Sequence, residues 1–348
     1  MYFNNLAVLR QEDHKHLGII LDRKLTFTKH IRGKIAIARR GIGLMRHMSS
    51  YVSINTLDQM YKMFFRLHLD YCDVIYHIPP SQEFGTSNFS LHYLMKNIES
   101  TEYQAACAVT GAWKGTNTIK LYEELGWQSL SDRRVHRRLV QFYKIYNDNN
   151  TPSYLKSLIP ESVTLNYGKR RENVLHEFKC RTQTFANTFF PDGVQKWNEI
   201  GVEYRTIESF SKFKNHLKSC IPSRKSTFGI HYPIIGIKRL FQLRLSLSPL
   251  KKHKFDHKFS DTLSNVCECG TAPEDSLHFF LICPLFSAQR ASLIELITNT
   301  LSQKGIQNLK LKDLLHTVLY GHPKLNNEEN RSIIKATITY ILESSRFS

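Results

Sequence analysis

Three cysteines and one histidine lie within seventeen residues near the end of this 348-residue chain. Their spacing is C-x-C-x8-H-x4-C, and the four residues are Cys267, Cys269, His278 and Cys283. Structural zinc takes four thiolate or imidazole ligands at tetrahedral corners and leaves no coordination position open. The spacing therefore predicts one structural zinc site, and the closed ligand set argues against a zinc hydrolase. The alternative is three unrelated core cysteines, since a free cysteine often packs as a small apolar residue.

The residues around this motif suit the same site. Gly270 can take a positive φ, so a tight turn here would point backbone amides at the sulfurs. His278 is predicted to lie in the first turn of a short helix. The aromatic residues Phe279, Phe280 and Phe286 either pack the motif or stack on single-stranded bases. The zinc would accordingly either order the end of the chain or contact RNA.

A basic stripe runs along the first predicted helix, residues 29–48. Its apolar positions recur every three or four residues, which predicts one buried face; they are Ile31, Ile35, Ala38, Ile42 and Met45. Arg32, Arg39 and Arg46 repeat every seven residues beside that face, and no acidic residue occurs between Asp22 and Asp58. The stripe is either a solvated surface or a set of phosphate contacts. The candidate nucleic-acid-binding residues are Lys29, Arg32, Lys34, Arg39, Arg40 and Arg46.

Composition limits the partners and the compartment. The net charge of +18 and the pI near 9.6 favour a polyanion. No apolar run approaches the 18 or more residues of a spanning helix, and the first ten residues lack the pattern of a signal peptide. Three of the seven cysteines stand in a metal pattern, which favours a reducing compartment, nuclear or cytoplasmic. The clusters Lys169-Arg170-Arg171 and Lys251-Lys252-His253-Lys254 are either import signals or plain surface.

Apolar periodicity elsewhere predicts a mainly α fold with minor β, in the α+β class. The predicted elements are a strand over 16–22 and helices over 56–77, 91–110, 286–303 and 327–344. Asn55 is the expected cap of the second helix. A fourth helix is expected to start at Ser131 and to bury Val135, Leu139 and Phe142. Its basic residues are predicted to face solvent; they are Arg133, Arg134, Arg137, Arg138 and Lys144.

Six segments, in their order along the chain, carry a resemblance to a known family. They are His16-Leu17-Gly18-Ile19-Ile20-Leu21-Asp22, His68-Leu69-Asp70-Tyr71-Cys72-Asp73, Leu121-Tyr122-Glu123-Glu124-Leu125-Gly126-Trp127, Phe189-Phe190-Pro191 with Trp197-Asn198, the cysteine–histidine motif, and Leu319-Tyr320-Gly321. In these segments the chain resembles the C-terminal part of the second open reading frame of animal non-LTR (LINE-type, jockey-like) retrotransposons. That part lies beyond the palm of the reverse transcriptase. The resemblance covers almost the whole chain.

The resemblance implies four parts. Residues 1–28 are a remnant of the palm end, and 29–112 form a thumb-like helical bundle. Residues 113–235 are a connecting α+β region, and 236–348 form a small C-terminal zinc-knuckle and helical domain. One run departs from the family: Glu102 stands where the family carries an arginine-bearing segment, which weakens the case for a groove-lining role of the third helix.

Catalysis is not expected from this chain alone. The family's polymerase holds two magnesium ions between palm aspartates, two of them adjacent, whereas this sequence contains no Asp-Asp pair. The family's endonuclease is absent as well. Asp70 and Asp73 share a helix face, but they lie in the thumb-like part and are expected to form ion pairs. No catalytic residue and no catalytic magnesium is therefore assigned.

The expected function is that of a non-catalytic fragment of an RNA-directed DNA polymerase. It would bind RNA and RNA/DNA duplex through the backbone, without sequence specificity, and an upstream palm or endonuclease portion would belong to a longer product. No membrane partner is expected. The alternative is a protein-interaction scaffold or a decaying remnant, with a structural zinc and no role with nucleic acid.

Overall fold

The computed structural model describes residues 2–3, 6–7, 11–77, 89–163, 173–219 and 232–347. The basic cluster Lys169-Arg170-Arg171 lies outside them. The fold is mainly α with minor β, as predicted. Two antiparallel hairpins pair β1 (Tyr2–Phe3) with β2 (Leu6–Ala7), and β3 (Asp13–His16) with β4 (Ile19–Asp22). No helix among the described residues is long and apolar enough to cross a membrane.

The α-helices of the described residues are α1 (Thr28–Met48), α2 (Ile54–Met60), α3 (Arg66–Asp70), α4 (Asp73–Tyr76), α5 (Phe89–Thr110), α6 (Thr118–Leu125), α7 (Leu130–Asn147), α8 (Ser153–Lys156), α9 (Gln183–Ala186), α10 (Phe189–Glu199), α11 (Val202–Arg205), α12 (Phe210–Ser219), α13 (Ile234–Arg244), α14 (Lys251–Asp256), α15 (Ser287–Ser302), α16 (Leu311–Tyr320) and α17 (Asn327–Glu343). The expected C-terminal helices correspond to α15 and α17, and α16 was not expected. Helix α17 starts with a reciprocal capping box between Asn326 and Glu329.

The chain divides into two compact units, each built from separated stretches. The first unit contains residues 1–41, 63–102 and 127–223; the second contains residues 42–62, 103–126 and 224–348. In the first unit, α7 packs against α4, α10 and α12. In the second, α17 packs against α13, α15 and α16. The four-part division by sequence follows consecutive stretches instead, and it stays a prediction.

Helix α1 confirms the predicted apolar face. Ile31, Ile35, Ala38, Ile42 and Met45 are all buried. Their spacing of three and four residues places them on one side of the helix, where burial of each isoleucine or methionine side chain contributes on the order of 1.5–3 kcal/mol. The opposite side is therefore free to carry the basic residues.

The prediction of one continuous second helix over residues 56–77 is wrong. Its cap is Ser53, whose side chain accepts from the backbone amide of Thr56, rather than Asn55. A π-helical turn at Tyr61–Phe65 follows α2, and α3 ends before a turn in which Cys72 has a φ of 56°. A left-handed φ at a non-glycine residue interrupts any regular helix. The result is a bent segment rather than one rod.

The third helix is confirmed, and the fourth starts earlier than predicted. Helix α5 ends at Thr110, next to Gly111, which has a φ of 73°. Helix α7 is capped by Ser129, whose hydroxyl accepts from the amide of Asp132, and not by Ser131. Both serines are good caps in sequence. The sequence alone therefore did not distinguish between them.

The prediction that the arginines of α7 face solvent is wrong. Arg133, Arg134 and Arg138 are 5%, 2% and 0% exposed, whereas Lys144 is exposed as predicted. Carboxylates from other stretches of the same unit neutralise them. The pairs are Arg133 with Glu102 (2.5 Å) and Asp70 (3.2 Å), Arg134 with Asp73 (3.4 Å), Arg137 with Asp70 (2.8 Å) and Asp73, and Arg138 with Asp192 (2.5 Å).

Asp70 and Asp73 are confirmed as ion-pair residues. Burial alone would raise the pKa of Asp70, but the hydrogen bond from Arg137 and the neighbouring arginine charges outweigh burial and lower it. For Asp73 burial prevails, and its pKa is raised in spite of Arg137 and Arg134. Two carboxylates three residues apart therefore have pKa values that shift in opposite directions.

Glu99 makes the stability of the first unit depend on pH. Burial, and then the charge of Glu102, raises its pKa from 4.5 to about 7. An acid with a raised folded pKa contributes stability that is full below pH 4.5 and is lost as the pH rises through 7. As the pH rises through this interval, ionisation of Glu99 should lower the unfolding free energy of the wild type by roughly 2–3 kcal/mol. In Glu99→Gln this decrease should be absent.

Urea unfolding of the wild type and the variant between pH 4 and pH 8 measures this difference. The matched control is Glu177→Gln, which alters an exposed carboxylate of the same unit. Parallel pH profiles for wild type and Glu99→Gln would show that Glu99 remains ionised in the folded chain.

Candidate metal centre

The first two cysteines lie on a tight loop between extended residues. Val266 and Pro273 form an isolated antiparallel bridge, and the amide of Cys267 donates to the carbonyl of Ala272 at 2.9 Å. Gly270 closes the loop with a φ of 77°, as its sequence position predicted. A side chain at this φ would be strained, so glycine allows the reversal. The loop brings the sulfurs of Cys267 and Cys269 within 4.8 Å of each other.

Backbone amides face the sulfurs in a regular pattern. The amide of Cys269 faces the sulfur of Cys267, that of Thr271 faces Cys269, and that of Leu285 faces Cys283. In each case the donor lies two residues after the cysteine. Such hydrogen bonds favour the thiolate form, which is the form that binds metal. The prediction that amides point at the sulfurs is confirmed.

A π-helical turn at His278–Ile282 brings the second pair of ligands together. The amide of Cys283 donates to the carbonyl of His278 at 2.7 Å, a bond that spans five residues. In an α-helix five residues cover about 500°, which would leave the two side chains about 140° apart around the axis. The wider turn removes most of that divergence. The expected short helix exists, but it is a π turn.

The four ligand atoms form a compact group. Sγ of Cys267, Cys269 and Cys283 and a ring nitrogen of His278 all lie within 4.8 Å of one another. The Cys267 and Cys283 sulfurs are 3.7 Å apart, close to the edge of about 3.8 Å for a tetrahedron with metal–sulfur bonds of about 2.3 Å. Nε2 of His278 lies 3.1 Å from Sγ of Cys269. The group could therefore hold one metal ion.

The three cysteine thiols differ in how readily they ionise. Burial raises the pKa of Cys267 to about 12 and also raises the pKa of Cys283. The Thr271 hydroxyl and amide instead lower the pKa of Cys269 to about 6. A divalent cation would supply the positive charge that the two buried thiolates need.

Residues far away in sequence support the loop. Glu274 is 1% exposed and accepts from Nε and Nη2 of Arg346 at 2.5 and 2.6 Å. It also accepts from the amide of Lys251 at 2.7 Å, at the start of α14. Arg346 lies 72 residues from Glu274, and no local pattern links them. The sequence therefore did not predict that these two residues form an ion pair.

Aromatic packing joins the centre to α17. Phe279 contacts the rings of Phe280, Tyr340 and Phe347 at centroid distances of 4.9–5.2 Å. The hydroxyl of Tyr340 donates to the carbonyl of Phe279 at 2.5 Å. Phe279 and Phe280 are fully buried, so of the two alternatives for these rings the packing one is confirmed. The half-buried Phe286 packs against Phe279 as well.

The predicted nucleic-acid-binding residues all lie on α1. Arg32, Arg39, Arg40 and Arg46 are exposed. The two lysines have partners in the first unit: Lys29 pairs with Asp13 at 2.5 Å, and the Lys34 ammonium lies 5.0 Å from the centroid of the Tyr71 ring. Lys29 is exposed as well, although it has this partner, and the binding role of all six residues stays a prediction.

Comparisons of the chain with protein-family models, with curated proteins and with solved structures found no match.

Proposed function

We propose that the chain binds RNA and RNA/DNA duplex through the phosphate backbone, without sequence specificity. The proposal describes it as the C-terminal, non-catalytic part of an RNA-directed DNA polymerase of the non-LTR retrotransposon type. It rests on the order of sequence segments that resemble that family and on the exposed basic face of α1. No catalytic step is assigned to the chain alone, because its sequence has no adjacent aspartates to hold a pair of magnesium ions.

The exposed arginines of α1 are the observation that carries the proposal. Arg32, Arg39 and Arg46 stand seven residues apart, so they advance about 10 Å along the helix at each step. No acidic residue occurs in α1 to neutralise them. A row of guanidinium groups of one sign can contact a line of phosphates, to which arginine can donate two hydrogen bonds at once. Such contacts position a duplex but do not read its sequence.

The salt dependence of binding tests this proposal. We expect the metal-loaded chain to bind a labelled RNA–DNA duplex with log K falling against log salt at a slope of roughly −4 to −5, as for about six neutralised phosphates. Replacing Arg32, Arg39 and Arg46 by glutamine should make that slope shallower by about 2–3. Fluorescence anisotropy between 50 and 200 mM salt, a range over which such slopes develop, measures both values.

A matched control removes the same charge elsewhere. Lys312, Arg331 and Lys335 are exposed on α16 and α17 of the second unit. Their triple replacement by glutamine lowers the net charge equally and should leave the slope within about one unit of the wild type. Equal effects of both triple variants would mean diffuse charge attraction and no binding face. A flat salt response of the wild type would contradict the proposal altogether.

Zinc is the metal we propose for the centre. Three thiolates and one imidazole form a soft, closed, four-coordinate set, which suits zinc and leaves no position for substrate. When bound, zinc supplies a fixed tetrahedral cross-link between the loop at Cys267 and the turn at His278. Its proposed role is to order the end of the chain rather than to contact RNA. The aromatic rings nearest to the centre are buried against other side chains, so they are not available to stack on bases.

A further inference from the structure

Two helices of the first unit bring lysines to one aromatic ring. The ammonium group of Lys144, on α7, lies 4.8 Å from the centroid of the Phe210 ring, and that of Lys214, on α12, lies 6.0 Å from it. Both charges are thus within 6.0 Å of one point. Lys218 follows Lys214 by four residues, so the two lie on the same side of α12. We name Lys144, Lys214 and Lys218 the lysine cluster.

Aromatic packing fixes α12 against α7 beneath the lysine cluster. The rings of Tyr143 and Phe213 stack with their centroids 4.4 Å apart, and both rings are buried. The hydroxyl of Tyr143 also lies 2.8 and 2.6 Å from the carbonyl oxygens of Ile207 and Glu208, just before α12 begins. Both helices belong to one compact unit. The backbone positions that carry the cluster therefore keep a fixed spacing.

No carboxylate of the described residues neutralises the lysine cluster. Its three side chains are exposed, and none of them forms an ion pair in that part of the chain. The nearest acids along the chain, Asp148 and Glu208, are exposed but do not pair with it. No acidic residue follows Glu208 until Asp256. The cluster thus differs from the arginines of α7, and charge of one sign without a counter-ion attracts polyanions.

The apolar side of α12 is not available to a partner. Phe213 and Leu217 are 0% and 7% exposed, and they pack in the core of the unit. None of the exposed large apolar side chains of the described residues lies on α7 or α12. A protein interface is built around an apolar centre, and a helix that lies on a membrane inserts a free apolar face. This surface offers charge alone, which is sufficient for contacts with phosphates.

We propose that the lysine cluster is a second contact for the phosphate backbone of nucleic acid, separate from the arginines of α1. The inference deepens the proposed function and rests on it, because it takes the same polyanion as the partner. Lysine binds a phosphate as a point charge, whereas arginine binds it as a planar fork. The cluster should therefore add affinity without adding sequence specificity.

The salt slope of duplex binding tests the cluster separately from α1. We expect replacement of Lys144, Lys214 and Lys218 by glutamine to make the slope shallower by about 2–3, as for three lost phosphate contacts. Combining these changes with glutamine at Arg32, Arg39 and Arg46 should make it shallower by about 4–6. Fluorescence anisotropy with the labelled RNA–DNA duplex measures each slope. Circular dichroism should stay unchanged, because the three lysines are exposed.

One helix supplies a matched pair of single variants. Lys212 and Lys214 are both exposed on α12, but two residues cover about 200° of a helix, so their side chains point to nearly opposite sides. Lys214→Gln should make the slope shallower by about 1, whereas Lys212→Gln should leave it unchanged. Equal effects of the two changes would mean that net charge, and not the cluster, decides binding.

Two further results would overturn the inference. The first is a wild-type slope in the triple lysine variant. If the α1 variant still lost its share of the slope, the proposed function would stand without the cluster. The second is a change of partner, measured by sedimentation with vesicles of phosphatidylserine and phosphatidylcholine. Vesicle binding that depends on the three lysines, together with unchanged duplex binding, would assign the cluster to an anionic lipid surface.

Discussion

Arg138→Met should lower the unfolding free energy of the first unit by about 3–5 kcal/mol, the usual cost of removing one member of a buried ion pair. Arg138 is 0% exposed, and its Nη1 donates to Asp192 at 2.5 Å. It also donates to the carbonyls of Val74 and His77 at 3.0 Å. Methionine fills much of the same volume, but it removes the donor from the Asp192 carboxylate and from three carbonyls, of which the third is that of Asn187 at 3.3 Å. The midpoint of urea unfolding measures the change.

Two further variants separate the charge from the packing. Lys144→Met changes an exposed residue of the same helix and should shift stability by no more than about 0.5 kcal/mol. Arg138→Met combined with Asp192→Leu should recover part of the loss, because an apolar pair needs no neutralising partner. A cost below about 1 kcal/mol for Arg138→Met alone would mean that the pair is open to solvent.

The metal centre should lose its ion completely when one ligand is removed. We expect Cys267→Ser and Cys283→Ser each to reduce bound zinc from one equivalent to almost none, measured by elemental analysis after gel filtration. Structural zinc contributes an apparent free energy of about 10–16 kcal/mol in small modules, so its loss should unfold the surrounding loop. Amide exchange should then rise over residues 265–286 and, because Tyr340 and Phe347 pack on Phe279, at the end of α17 as well.

Cys180→Ser is the control for that experiment. Cys180 is half-buried in the first unit and belongs to no group of metal-binding side chains in the described part of the chain. It should keep one equivalent of zinc and unchanged exchange near Phe279. A full equivalent of metal in both ligand variants would show that the four residues do not form the site.

Local patterns in the sequence were sufficient for the ligands and for α1. All four ligand residues lie within seventeen positions, and the x8 and x4 spacings follow from one loop and one turn. The apolar stripe of α1 repeats at helical intervals, so its buried face could be predicted from residue types alone. Metal spacing and helix periodicity act over a few residues, and a single sequence displays both.

The arginines of α7 could not be predicted in that way. Arg133 and Arg138 meet Glu102 and Asp192, which are 31 and 54 residues away, and Arg137 meets Asp73 at a separation of 64. A basic helix in isolation indicates a solvated face, because no nearby acid identifies a partner. Glu102 departs from the pattern of the family that the chain resembles, and its ion pair with the buried Arg133 supplies a physical reason for an acid at that position.

The π turn at His278–Ile282 means that ligand spacing depends on the type of helix as well as on distance along the chain. Four residues of an α-helix cover about 400°, so a histidine and a cysteine separated by three residues would also face one ion. If one residue were deleted, an α-helical turn with hydrogen bonds across four residues could replace the π turn with hydrogen bonds across five. The histidine and the cysteine would still face the same ion. A search for such centres that fixes one interval between these two ligands would therefore miss chains with the same geometry.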